Sequence, residues 1–277
     1  MALLLSVLEQ GMIYGILALG VYITYKILDF PDLTVDGSFP FGAAITVRLI
    51  NGFGVPAILT LPIAFLGGAL VGICTGLIHV KLKVRDLLSG IIMMTGLYTI
   101  NLWVAGSGYV AIFDKDNIFN NNFVNSITPD FLVNFKNVII IFLITMVAKY
   151  LLDWYMSTKS GFLLRAVGDN DTIVTSLGVD KGLVKIVGLS IANGLVSLSG
   201  CIYAQQQRSF EISIGTGAVV IGLASVIIGT SLFKKVTFFC VTSSVVVGSI
   251  LYKACVAVAM FAGISPNAIK LITAVLF

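Results

Sequence analysis

The chain has 277 residues, of which 58% are hydrophobic and 11% charged, with a formal net charge of +4. A mean hydropathy of +1.04 leaves too little polar residue to coat a water-soluble globule of this length, which excludes a soluble enzyme or a nucleic-acid-binding module. Apolar runs of about 18 residues or more recur, the length a helix needs to cross ~30 Å of hydrocarbon, and the short alternating segments of a membrane barrel are not found.

The first run, 3–28, has no charged segment before it and reads as a retained helix and not as a cleaved leader. It ends in YKILDFPDLTVDGSFPFGAA (25–44), where Asp29, Asp32 and Asp36 stand among Pro31, Pro40, Gly37 and Gly42. The prolines bar one continuous helix, and the next run, 39–50, is too short to span unaided, so a short or broken second helix is expected. Runs at 55–78, 87–104, 138–156, 184–204, 215–232 and 236–258 follow, with a fragment from 269 to Phe277 that is either a stub or a shortened last helix. The reading is an all-α polytopic transmembrane helical bundle of about eight membrane segments, one domain over 1–277.

Lysine and arginine in short loops set orientation. His79, Lys81, Lys83 and Arg85 form one basic loop; Lys159, Arg165, Lys181 and Lys185 belong to a second; Lys234 and Lys235 form a third. These share the cytoplasmic side, and the polar stretch 106–137 is an external loop, which places the N-terminus outside. The 28 glycines recur with Ala and Ser inside helices, as in GGALVGICTG (67–76), and mark close helix packing. Cys74, Cys201, Cys240 and Cys255 lie in or beside apolar runs without metal-ligand spacing and read as packing residues.

The candidate translocation path is taken from polar groups in oil. Asp32, Thr34, Asp36 and Ser38 occupy the broken junction, and Asn193 and Gln205 lie on the helix after the large cytoplasmic loop, with Ser190, Ser197, Ser199, Gln206 and Gln207 nearby. Ionisable groups at membrane depth are functional candidates: one acid can pair with a substrate amino group, or the acids can simply cap the short helix. Phe39, Phe41, Tyr98, Trp103 and Tyr109 can stack on a ring or serve as packing and interface anchors. Arg48 and Lys253 are expected to snorkel, and His79 has no metal-ligand partners.

The loop 157–185 contains LLRAVGDNDTIVTSLGV, a mixed pattern suited to short helices on the membrane face, with Asp169 or Asn170 able to cap a turn. It reads as a docking element. The chain has no GxxxxGK[ST] phosphate loop, so any ATP-driven engine is another polypeptide. The segment GFLLRAVGDNDTIVTSLGVDKGLVKIVGLSIANGLVSLSGCIYAQQQ resembles the coupling segment of branched-chain amino acid type permeases of bacterial ABC importers. LDFPDLTVDGSFPFGAA and GLASVIIG resemble the aromatic amino acid (tryptophan or tyrosine) branch of that family.

The resemblance implies an amino acid importer in the bacterial cytoplasmic membrane, formed by two permease copies or paralogues, two ATP-binding subunits and an external substrate-binding protein. It implies no catalysis and no cofactor on this chain, with ATP and Mg2+ held by the partner ATPase. Gly161, Arg165, Ala166, Gly168, Asp169, Leu177 and Gly178 match the coupling pattern, and Asp171 offers a second acid for charge-assisted bonds beside Arg165. Thr230 and Arg208 depart from the branch, which usually has an acidic and a small residue there. The rival readings are a nucleoside or sugar permease of the same superfamily and an intramembrane enzyme. The latter is disfavoured by a single His in a basic loop.

Overall fold

Helix α1 (Ala2–Val21) is apolar on every face, which suits a helix enclosed by others. It passes into a π-helical turn, Tyr22–Ile27, closed by the Leu28 N–H to the Ile23 carbonyl at 2.9 Å, and the chain then leaves helix at Asp29, whose φ is 51°. A computed structural model describes residues 2–113, 115–121, 135–176, 178–234 and 240–261. After the non-helical residues 28–34, α2 runs Val35–Phe53, followed by α3 (Thr60–Lys81), α4 (Asp86–Ala105), strand β1 (Tyr109–Ala111) and α5 (Lys136–Met156). The short helices α6 (Lys159–Asp169) and α7 (Asp171–Ser176) precede α8 (Lys181–Gln207), strand β2 (Ser209–Glu211), α9 (Ala218–Leu232) and α10 (Val241–Phe261). Among the described residues, seven helical spans are long and apolar enough to cross a membrane; the 19-residue α2 makes an eighth segment.

The break lies before the second helix and not within it. The sequence suggested that Pro40 would interrupt that helix, yet α2 runs through Pro40, five residues in from its start. Proline removes only its own N–H, which would have met the Asp36 carbonyl in the first turn. That carbonyl instead faces the backbone of Gly215, where even a β-carbon would not fit.

Side assignments follow from contacts between loops. On one side, β1 pairs antiparallel with β2, Val110 opposite Phe210, tying the loop after α4 to the end of α8. On the other, Gly182 abuts Val80, the His79 ring meets Phe30 edge-on at 5.2 Å, and Gly168 abuts Ile27. The basic loops 79–85 and 157–185 therefore gather on one face, as the positive-inside pattern requires. The second half of the external loop, Lys235 and the segment from 262 onward lie outside the described residues.

The core is centred on α1 and α8, each 67% buried along its apolar window, while α3, α4 and α5 at 33%, 22% and 28% present most of their surface outward. Gly68 and Gly72 of α3 lie against the α8 backbone at Asn193 and Leu189; Gly42 of α2 lies against Ser197 and Gly200 of α8 against Phe39. At these four positions an alanine methyl would overlap a carbonyl of the facing helix. Small residues give this proximity, the main source of helix association in lipid.

Candidate functional site

The junction between α1 and α2 is organised by hydrogen bonds to its acids. Asp32 accepts the Thr34 N–H at 2.8 Å with one carboxylate oxygen and the Asn193 side-chain amide at 2.8 Å with the other. Asn193 also donates to the Leu189 carbonyl at 3.1 Å and accepts from the Ser38 hydroxyl at 2.6 Å. Thr34 meets Thr75 of α3, hydroxyl to hydroxyl, at 3.1 Å, and Gly90 of α4 leaves room for the Leu33 backbone. Asp32 is 5% exposed, and Thr34, Ser38 and Asn193 are fully enclosed. Four of the six sequence-nominated polar residues thus form one dry network joining the break to α2, α3 and α8. Buried polar groups of this kind are satisfied by one another.

Asp36 has a different place. It lies in the first turn of α2, yet its carboxylate accepts the N–H groups of Gly217 at 3.1 Å and Val219 at 2.8 Å, so it caps α9 across 181 and 183 positions of chain. Beside it is a groove of about 470 Å3 lined by Gly37, Pro40, Met94, Thr95, Tyr98, Asn101, Ile212, Ser213 and Thr216. Its walls come from α2, α4 and the turn before α9. Asn101 donates to the Gly37 carbonyl at 3.1 Å, and its amide oxygen has no partner among the described residues. The volume falls in the range of small-molecule sites, ~300–1,000 Å3.

Gln205 is removed from this groove. Its amide donates to Thr60 at 2.9 Å and its oxygen accepts the Ile118 N–H at 3.0 Å, joining α8 to the start of α3 and to the external loop. A larger cavity, about 620 Å3, opens between α3, α5 and α8 around Leu61, Phe65, Leu151 and Leu195; it offers no charged group and suits lipid chains. Of the aromatic residues, Tyr98 lines the polar groove, while Phe39 is buried, stacked on Tyr14 with ring centres 5.6 Å apart. Trp103 and Tyr109 are exposed. Lys253 was expected to snorkel; its ammonium instead lies 3.6 Å from the centre of the Tyr14 ring, where the π-face substitutes for water.

In the loop 157–185, Thr158 caps α6 by accepting the Gly161 N–H at 3.4 Å, and Asn170 accepts the Thr172 N–H at 3.1 Å to start α7. One face of α6, with Gly161, Leu164 and Val167, is buried; Phe162, Arg165 and Asp169 are exposed, and Ala166 lies between. Gly161 abuts the Tyr155–Met156 backbone and Gly168 the Ile27 carbonyl, so α6 is fastened to the ends of α5 and α1. Gly178 has a φ of 74°, which glycine adopts without strain. Leu177 and the side chain of Asp171 lie outside the described residues.

Sequence reasoning did not single out Asn101, Ser213 or Thr216. The signal for Asn101 was present, as a lone amide inside the apolar run 87–104. Nothing local marks Ser213 and Thr216, which reach the groove only through the turn that Asp36 holds.

The model of the family described as branched-chain amino acid transport system / permease component matches residues 3–277. The tyrosine transport system permease protein of Clostridioides difficile strain R20291 is 42% identical over 273 residues, 98% of this chain and 88% of that protein. The probable branched-chain amino acid transport permease protein LivH of Methanocaldococcus jannaschii is 26% identical over 225 residues, 78% of this chain and 70% of that one. The ribose import permease protein RbsC of Escherichia coli K12 is 26% identical over 235 residues, covering 82% and 68%. No solved structure matches the chain.

Proposed function

Because this chain belongs to the branched-chain amino acid transport system permease family, we propose that it carries an aromatic amino acid, tyrosine or a close analogue, inward across the bacterial cytoplasmic membrane. It is the multi-pass permease component of an ABC transporter and supplies the path, while ATP hydrolysis takes place on a partner. The full-length likeness to a tyrosine transport permease carries the substrate class. The sugar reading rests on the more distant likeness to ribose permeases, and the opening network of acids and amides does not by itself separate the two.

The cytoplasmic helices supply the coupling. Two ATP-binding subunits dock on α6, where Phe162, 60% exposed, stands with Arg165 and Asp169 on the outward face. Closure of the nucleotide-bound subunits pushes α6, and the seat of Gly168 on Ile27 passes the push to the break between α1 and α2. A second permease copy or paralogue completes the path, and an external binding protein delivers the ligand to the β1–β2 face. Asp32, Thr34, Ser38 and Asn193 hold the joint, and Asp36 edges the path.

The test is to purify the permease from native membranes with its associated proteins. An ATP-binding subunit and a binding protein should co-purify, and the binding protein should gain thermal stability with tyrosine or tryptophan over other amino acids and ribose. Stabilisation by ribose alone would overturn the amino acid reading, and repeated absence of an ATP-binding subunit would overturn the transporter reading.

A further inference from the structure

The groove beside Asp36 has a feature that a passive conduit does not need. Asn101 is 1% exposed, its amide nitrogen is committed to the Gly37 carbonyl at 3.1 Å, and its amide oxygen is buried with no partner among the described residues. Buried acceptors are nearly always paired, and leaving one unpaired is unfavourable. Asp36 stands on the same groove, its carboxylate held in place by the Gly217 and Val219 N–H groups, and gives that edge of the groove an acidic group. Two acceptors, one of them charged and both positioned by backbone, are what an ammonium group requires.

The other walls match the rest of a ring-bearing amino acid. Met94 and Tyr98 of α4 and Ile212 supply apolar surface, and the hydroxyls of Ser213 and Thr216 line the same groove. Methionine and tyrosine make favourable contacts with an aromatic face.

We propose that this groove is a substrate station within the permease, in which Asn101 Oδ1 and the Asp36 carboxylate hold the α-ammonium of an aromatic amino acid whose ring rests on Met94 and Tyr98. The station adds a second selection step after release from the binding protein. It rests on the aromatic amino acid reading given above and names the residues that act on that substrate.

The test uses the complex of permease and ATP-binding subunits in lipid nanodiscs, without the binding protein, and measures saturable binding of radiolabelled tyrosine. Tryptophan and tyramine should compete, whereas 3-(4-hydroxyphenyl)propanoate, which keeps the ring and carboxylate but lacks the ammonium, should compete at least tenfold less well. Asn101→Leu should weaken binding tenfold or more, and Asn101→Asp, which keeps an acceptor oxygen, should retain it; co-purification of the ATP-binding subunits reports folding of each variant. The analogue series on the unaltered protein tests the proposal even where a variant fails to assemble. Equal competition by the deaminated analogue, or unchanged affinity in a folded Asn101→Leu, overturns it. If the complete system imports tyrosine yet the nanodisc complex binds none, the station is refuted and the transport function stands. If the complete system imports no aromatic amino acid, the functional reading and the station fall together.

Discussion

Replacing Asn193 by leucine removes both links between the junction and α8 while nearly conserving volume. In the native protein the Asn193 amide meets one Asp32 oxygen at 2.8 Å and its carbonyl takes the Ser38 hydroxyl at 2.6 Å. Afterwards the Asp32 carboxyl, 5% exposed, keeps its bond to the Thr34 N–H and loses the amide on its other oxygen. Leaving that oxygen and the buried Ser38 hydroxyl unpaired costs about 1–3 kcal/mol each, with relaxation recovering part. A net loss of about 3 kcal/mol is expected. At about 2–4 °C per kcal/mol for a large domain, this lowers the melting temperature of the purified permease complex by roughly 6–12 °C. Adding Asp32→Asn alters the other end of the same bond, so the double variant should lose less than the sum of the two single variants, a coupling of the size seen between residues of one network. The assay is tryptophan or dye-reported thermal unfolding in one detergent at one protein concentration. A single variant within about 2 °C of the parent, or losses that simply add in the double variant, would refute the bond between Asp32 and Asn193.

Three further outcomes follow from the packing and the caps. Gly168→Glu places a bulky side chain where α6 touches Ile27, so uptake should be abolished and ATP hydrolysis freed from substrate control while the permease still inserts; normal uptake would refute the seating of α6. Asp36→Ala strips α9 of its cap and should destabilise the complex by about 1 kcal/mol, read as a small fall in melting temperature; no change would refute the cap. Arg208→Gly relieves a left-handed residue with φ 54° at the end of α8, and the melting temperature should rise by the equivalent of about 1 kcal/mol; a fall would mean that the arginine side chain outweighs the backbone strain.

The crossings were readable because they depend on run length, a property of contiguous sequence. The short helices of the loop 157–185 were readable for the same reason: Asn170, named as a possible cap, accepts the Thr172 N–H. What sequence did not convey is what depends on distant partners. Asp36 was expected to act on substrate or on its own helix, and its partners lie at Gly217 and Val219. Pro40 carries the local chemistry of a break, but near the start of α2 that chemistry removes only one bond, to the Asp36 carbonyl, which lies against the Gly215 backbone. Asn101 looked like part of an apolar run because hydropathy averages a single amide away, and only the fold shows its oxygen without a partner among the described residues.

The glycine contacts along α8 have a kinematic consequence. Where Gly68 and Gly72 lie on the α8 backbone and Gly42 and Gly200 lock α2 to it, backbone meets backbone and little but the short Ser197 side chain stands between the helices to absorb sliding. The three helices have one set of rigid-body coordinates among them. Any alternation of access then has to be taken up at the joints around this slab, and residues 28–34, which no helix includes, are the joint nearest to α6. Cross-links within the slab should be silent in transport, and a single one across that joint should stop it.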